Sequence, residues 1–74
     1  MARSILLDLS DTQLDEGAQS LYEAGYGALR SGNHRMAMIL LTLADAAWNE
    51  IGERQKASMA REWLSTIEQK EVAS

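Results

Sequence analysis

The longest apolar stretch of the chain runs from Asn33 to Ile51, NHRMAMILLTLADAAWNEI. Met36 to Leu41 is unbroken, and only Thr42 intervenes before Leu43 and Ala44. A run of this kind could be a buried strand, so spacing has to decide. Ala37, Leu40, Leu41, Ala44, Ala47, Trp48 and Ile51 recur at intervals of three and four. Ala, Met and Leu also favour helix strongly. The pattern predicts a helix over 34–51. With each residue turned about 100° from the last, Arg35, Thr42, Asp45, Asn49 and Glu50 share one side. Most large apolar residues fall opposite, but Met38, Ile39 and Ala46 land on the polar side. The helix therefore carries more apolar surface than one packing face uses. A helix apolar nearly all round is usually buried, which a short chain can hardly achieve alone.

Two flanking helices are predicted. Ser10-Asp11-Thr12-Gln13 has the form of a capping box, with Leu9 and Leu14 spaced as a hydrophobic staple. Asp11, Asp15 and Glu16 lie in the first turns, where the helix dipole favours acids. The first helix is expected over 11–31, with Leu14, Ala18, Leu21, Gly25, Ala28 and Leu29 as its core stripe. Asp15, Glu16, Gln19, Glu23 and Arg30 fall opposite, and Tyr22 and Tyr26 sit at the border. Gly25, on the stripe, implies close approach of a neighbouring helix, expected at the small residues of the central one. Ser31-Gly32-Asn33 reads as a turn, with Gly32 in a left-handed conformation and Asn33 capping the next helix. Ile51-Gly52 ends the central helix in the same way. A third helix is expected over 53–70, with Ala57, Ala60, Leu64 and Ile67 on one stripe and Met59 and Trp63 beside it. Residues 1–9 read as an N-terminal arm, and the last few residues as frayed. The fold class is all-α: an antiparallel three-helix unit in a single domain of 74 residues.

Composition narrows the function. A chain this short often needs disulfides, a metal or association to be stable. It has no Cys, and one His34 cannot build a metal site, which leaves association. Absence of Pro fits long helices. Seven basic against eleven acidic residues give a net charge of −4, which argues against nucleic acid. No apolar run is long enough for a membrane span. The opening MARSILLDLS is too short and too soon acidic for a signal peptide, so the cytoplasm is the expected location.

The small residues of the hairpin recur at telling intervals. Leu21-x-x-Ala24-Gly25-x-x-Ala28 is followed by Gly32, then Ala37-x-x-x-Leu41-x-x-Ala44. This resembles the tetratricopeptide repeat over about 34 residues, from Ala18 to Ile51. The chain departs from that pattern in its Leu slot (Ala24), its aromatic slot (Ala28) and its closing Pro (Asn49). An unrelated three-helix unit is the alternative. The resemblance implies that Gly25, Ala37 and Ala44 let two helices pack closely and that the third helix caps a single repeat. Proteins of this size and outline are similar to the small cytoplasmic chaperones of bacterial type III secretion, which hold needle or translocator subunits.

No catalytic constellation is visible. His34 lacks a spaced carboxylate and nucleophile. Asp15-Glu16 and Glu50 with Glu53 read as solvated faces, and Trp48 and Trp63 as core. The glycines are too dispersed for a phosphate loop. The chain is therefore expected to be no enzyme and to need no cofactor or metal. The expected function is a protein-binding adaptor or chaperone that shields an apolar helical segment of another polypeptide, which the resemblance implies to be a type III secretion subunit. A hetero-complex is favoured over a homodimer, and a self-assembling structural protein is the alternative. Met38 and Ile39 are the expected partner-binding residues, with Tyr22 and Tyr26 as secondary candidates.

Overall fold

The computed structural model describes the backbone of residues 10–73 and the side chains of 10–69. Three helices follow one another: α1 (Asp11–Arg30), α2 (His34–Glu50) and α3 (Arg54–Ala73). Among the described residues there is no strand. Consecutive helices pack antiparallel, α1 on α2 and α2 on α3, so α2 is the middle element. The expected arm over 1–9, the staple partner Leu9 and the last residue Ser74 lie outside the described residues.

The helix boundaries follow from local chemistry. The Ser10 hydroxyl accepts from the Gln13 amide at 3.1 Å, and the Gln13 side chain accepts from the Ser10 amide at 2.9 Å. Both halves of the capping box are thus made. Ser31, expected as the last helical residue, is instead the C-cap of α1, and Ile51 is the C-cap of α2. Each is followed by a glycine in the left-handed region, Gly32 at φ 85° and Gly52 at φ 76°. The two turns are built alike. The Gly32 amide donates to the Leu29 carbonyl and that of Asn33 to Ala28, at 3.1 and 2.9 Å. The Gly52 amide donates to Asn49 and that of Glu53 to Trp48, at 3.2 and 2.9 Å. This is the Schellman arrangement, which satisfies the last carbonyls and reverses the chain within three residues. Asn33 then accepts from the Met36 amide at 3.2 Å and caps α2. At the far end, α3 continues to Ala73, beyond the expected stop at Lys70.

The core is built on small residues. Ala18 of α1, Ala37, Ala44 and Ala47 of α2, and Ala57 and Ala60 of α3 are all buried. Trp48, Leu41 and Ile67 are the largest fully buried side chains. Leu21, Tyr22, Leu29, Trp63 and Leu64 pack around them partly buried. Alanines at the contact bring helix axes together and leave α2 room to hold one large aromatic residue.

α1 and α2 approach each other closely at Gly25. A Cβ there would lie 2.9 Å from Leu41 Cγ and 3.2 Å from Leu40 Cβ. The expected neighbours were the small residues of α2. The observed ones are leucines, so the glycine makes room for bulk on the partner helix. Gly27 has open space around it and offers no structural reason for being glycine.

Three stability measurements test this assembly. Ser10→Ala should lower stability by about 0.5–2 kcal/mol, read from chemical denaturation. Gly25→Leu should cost about 1–3 kcal/mol through overpacking against Leu41. Gly27→Ala should instead raise stability by about 0.8–1.0 kcal/mol, since the helix gains propensity and nothing is struck. Equal effects at Gly25 and Gly27 would mean that α1 does not meet α2 at Gly25.

Candidate functional site

The residues singled out by sequence fall into two separate regions. Ile39 lies on the outside of α2 with half of its surface exposed. Met38, its neighbour, is half-buried and packs against the core. Tyr22 and Tyr26 lie on α1 and face α3. The structure does not bring the tyrosines to the Ile39 surface.

The outer side of α2 holds more apolar surface than the two expected residues. Met36 and Leu43 are 44% and 50% exposed, like Ile39 at 50%. Their spacing of three and four aligns them on one helical face. Met38, Ile39, Thr42 and Leu43 line an open depression of about 360 Å³ whose surface is almost wholly apolar. Leu43 and Met36 were missed because a helical wheel weighted by side-chain size places them with the core. The buried side is centred on Ala37, Leu41, Ala44 and Trp48 instead, where helices come closest. Centring the wheel on the alanines would have exposed the row. Arg35 and Glu50, both exposed, stand near its two ends.

The tyrosines belong to an aromatic chain that joins α1, α2 and α3. Tyr22 packs against Trp48 with ring centroids 5.6 Å apart, tilted by 53°. The Trp63 indole N–H donates to the Tyr22 hydroxyl at 3.0 Å. Tyr26 packs against Trp63 at 5.5 Å, and the Arg30 guanidinium lies 5.9 Å from the Tyr26 centroid. Tilted pairs at such distances suit the ring quadrupoles. Tyr22 thus makes internal contacts on two sides, while Tyr26 keeps 39% of its surface exposed.

A polar node sits beside this chain and corrects one sequence expectation. Asp15 is not simply a solvated acid. Its Oδ1 accepts from the Trp48 indole N–H at 2.9 Å and from the Lys56 ammonium at 2.9 Å. One carboxylate of α1 therefore ties α2 and α3 together. The Lys56 hydrogen bond, and then that of Trp48, hold the Asp15 carboxyl below its ordinary value of 3.8, against an opposing desolvation. The Asp15 hydrogen bond in turn raises Lys56 above its ordinary 10.5. A second link joins α3 to α2, with Arg61 Nε 3.2 Å from Asp45 Oδ1. It is exposed on the arginine side, and such pairs are worth little.

Among the described residues no group of three or more His, Cys, Asp or Glu could hold a metal ion. His34 is half-buried in the first turn of α2. No buried side-chain polar atom there lacks a hydrogen-bond partner. No helix among them is long and apolar enough to cross a membrane. Comparison of the chain with protein-family models, with curated proteins and with solved structures gives no match.

The Asp15–Lys56 pair predicts a pH dependence. A depressed carboxyl contributes stability in full above its ordinary value, and loses it as pH falls through the lower folded value. A raised ammonium contributes in full below 10.5, and loses it as pH rises through the higher folded value. Asp15→Asn keeps an acceptor for Trp48 but removes the charge. It should lower the Tm at neutral pH; the gap to wild type should close in acid as pH falls below 3.8, and narrow in alkali as pH rises above 10.5, where the charged bond to Trp48 remains. A gap that stays constant from pH 2 to 12 would show that charge at Asp15 adds nothing (thermal scans by circular dichroism).

Proposed function

We propose that this chain is a protein-binding adaptor or chaperone that covers an apolar helical segment of a partner polypeptide. The observation that carries this reading is the row Met36, Ile39 and Leu43 on the outside of α2. The three helices complete a core without using it. An amphipathic helix laid along such a row is a common mode of recognition. Burying the exposed half of Ile39 and of Leu43 would contribute roughly 0.8–1.5 kcal/mol per side chain. Leaving them in water creates an adhesive patch.

Three further points belong to the same proposal. The arrangement is tetratricopeptide-like, a reading supported by the close packing at Gly25 and by α3 lying antiparallel to α2. The client is a small helical subunit, as in type III secretion, handled in the cytoplasm. Nucleic acid is not a partner, in keeping with the net charge of −4.

One observation favours self-assembly as a second reading. Two copies of α2 laid antiparallel along their outer rows would set Arg35 of each against Glu50 of the other. Ile39 would then face Ala46, with Leu43 near the two-fold axis. An interface of this kind is self-complementary, as two-fold symmetry requires.

Ile39→Ser combined with Leu43→Ser tests both readings. The isolated variant should keep its helix content and a cooperative unfolding transition. Its capture of host proteins should fall several-fold against wild type in a quantitative pull-down. Unfolding of the monomer, or an unchanged set of captured proteins, would remove the row from the binding surface. Sedimentation then separates the readings. A wild-type dimer that dissociates with Arg35→Glu and re-forms when Glu50→Arg is added supports self-assembly, and a wild-type monomer supports the adaptor.

A further inference from the structure

A second cleft lies between α1 and α3, away from the outer row of α2. It has a volume of about 340 Å³ and is lined by Tyr22, Met59, Glu62, Trp63 and Thr66. Its chemistry differs from that of the row. Two aromatic side chains and a thioether form the apolar part. Met59 is 40% exposed although it belongs to a short chain with little core to spare. The Thr66 hydroxyl is turned to its own helix, donating to the Glu62 carbonyl at 2.9 Å. The Glu62 carboxylate has no hydrogen-bond or ion-pair partner among the described residues. No basic side chain lines the cleft.

We propose that this cleft receives an arginine side chain of a partner polypeptide. Aromatic faces attract cations through their quadrupoles, and the attraction grows as water is excluded. A guanidinium stacks on such faces and pairs in a planar, two-pronged way with a carboxylate, while its methylene stem takes apolar contact. Tyr22, Trp63, Met59 and Glu62 supply those three elements within one cleft. The same aromatic chain already holds a guanidinium at its other end, where Arg30 lies 5.9 Å from the Tyr26 centroid. Tyr22 and Trp63 are fixed against each other by the 3.0 Å indole–hydroxyl bond, so the cleft is formed before a ligand arrives. The negative balance of the chain favours the approach of a basic partner. This site stands independently of the α2 row.

The test uses the full chain and a short alanine-leucine peptide, blocked at both ends, with one central arginine. The indole N–H signals of Trp63 and Trp48 are followed by ¹⁵N NMR, the fully buried Trp48 serving as internal reference. Saturable movement of the Trp63 signal, larger than that of Trp48, is expected. Replacing the arginine by citrulline, which keeps the shape but removes the charge, should weaken binding at least about fivefold. Glu62→Gln, at an exposed position, should leave the helix content intact and weaken the arginine peptide by a similar factor. Equal binding of the citrulline peptide, an unaffected Glu62→Gln variant, or absence of a saturable Trp63 response would overturn the proposal. Loss of binding in the Ile39→Ser, Leu43→Ser variant with Glu62→Gln unaffected would place the peptide on the α2 row instead.

Discussion

The burial of Trp48 is the constraint around which the three helices are arranged. Its side chain is the largest that the fold encloses completely. An indole brings a large apolar area into the core, together with one N–H that must be satisfied there. The acceptor is not supplied by α2 itself. It comes from Asp15 of α1, and the same oxygen receives Lys56 of α3. The register of both outer helices against α2 is thus tied to one polar contact. Tyr22 packs against the indole and passes the contact on to Trp63.

The same economy explains why an apolar row is left over. Packing centred on alanines and on Gly25 lets the helices approach closely, so few large side chains are needed between them. Leu41 and Trp48 fill the space that exists. Met36, Ile39 and Leu43 fall beyond the reach of α1 and α3. Three such side chains on one helical face form an apolar patch, unlike the singly scattered exposed leucines that any protein surface carries.

Local signals in the chain were legible where a short-range interaction sets the outcome. Ser10 with Gln13, the glycines at 32 and 52, and Asn33 mark the starts and stops of helices because each satisfies backbone groups within a few residues. The three-helix architecture follows from them and from the apolar spacing. Contacts across helices were not legible in the same way. Asp15 resembles any acid in a first helical turn, where the dipole alone would justify it. Its role depends on Trp48 and Lys56, 33 and 41 residues away. Likewise Leu43 looks like core until the direction of the neighbouring helices is known, and Met38 looks like surface. Ile39 was visible from sequence alone because it falls far from every candidate packing face. The tyrosines stood out as border residues, but nothing local revealed that they would bridge α1 to α3.

Among the described residues, 10–69 complete a core of their own and leave the outside of α2 uncovered. Methyl NMR of the dilute monomer, with a soluble paramagnetic agent added, measures this directly. The methyl signals of Ile39 and Leu43 should broaden strongly, while those of Leu41 and Ile67, which are fully buried, should persist. Equal protection of all four residues in the monomer would mean that the outer row is covered from within the chain, and the account would be contradicted.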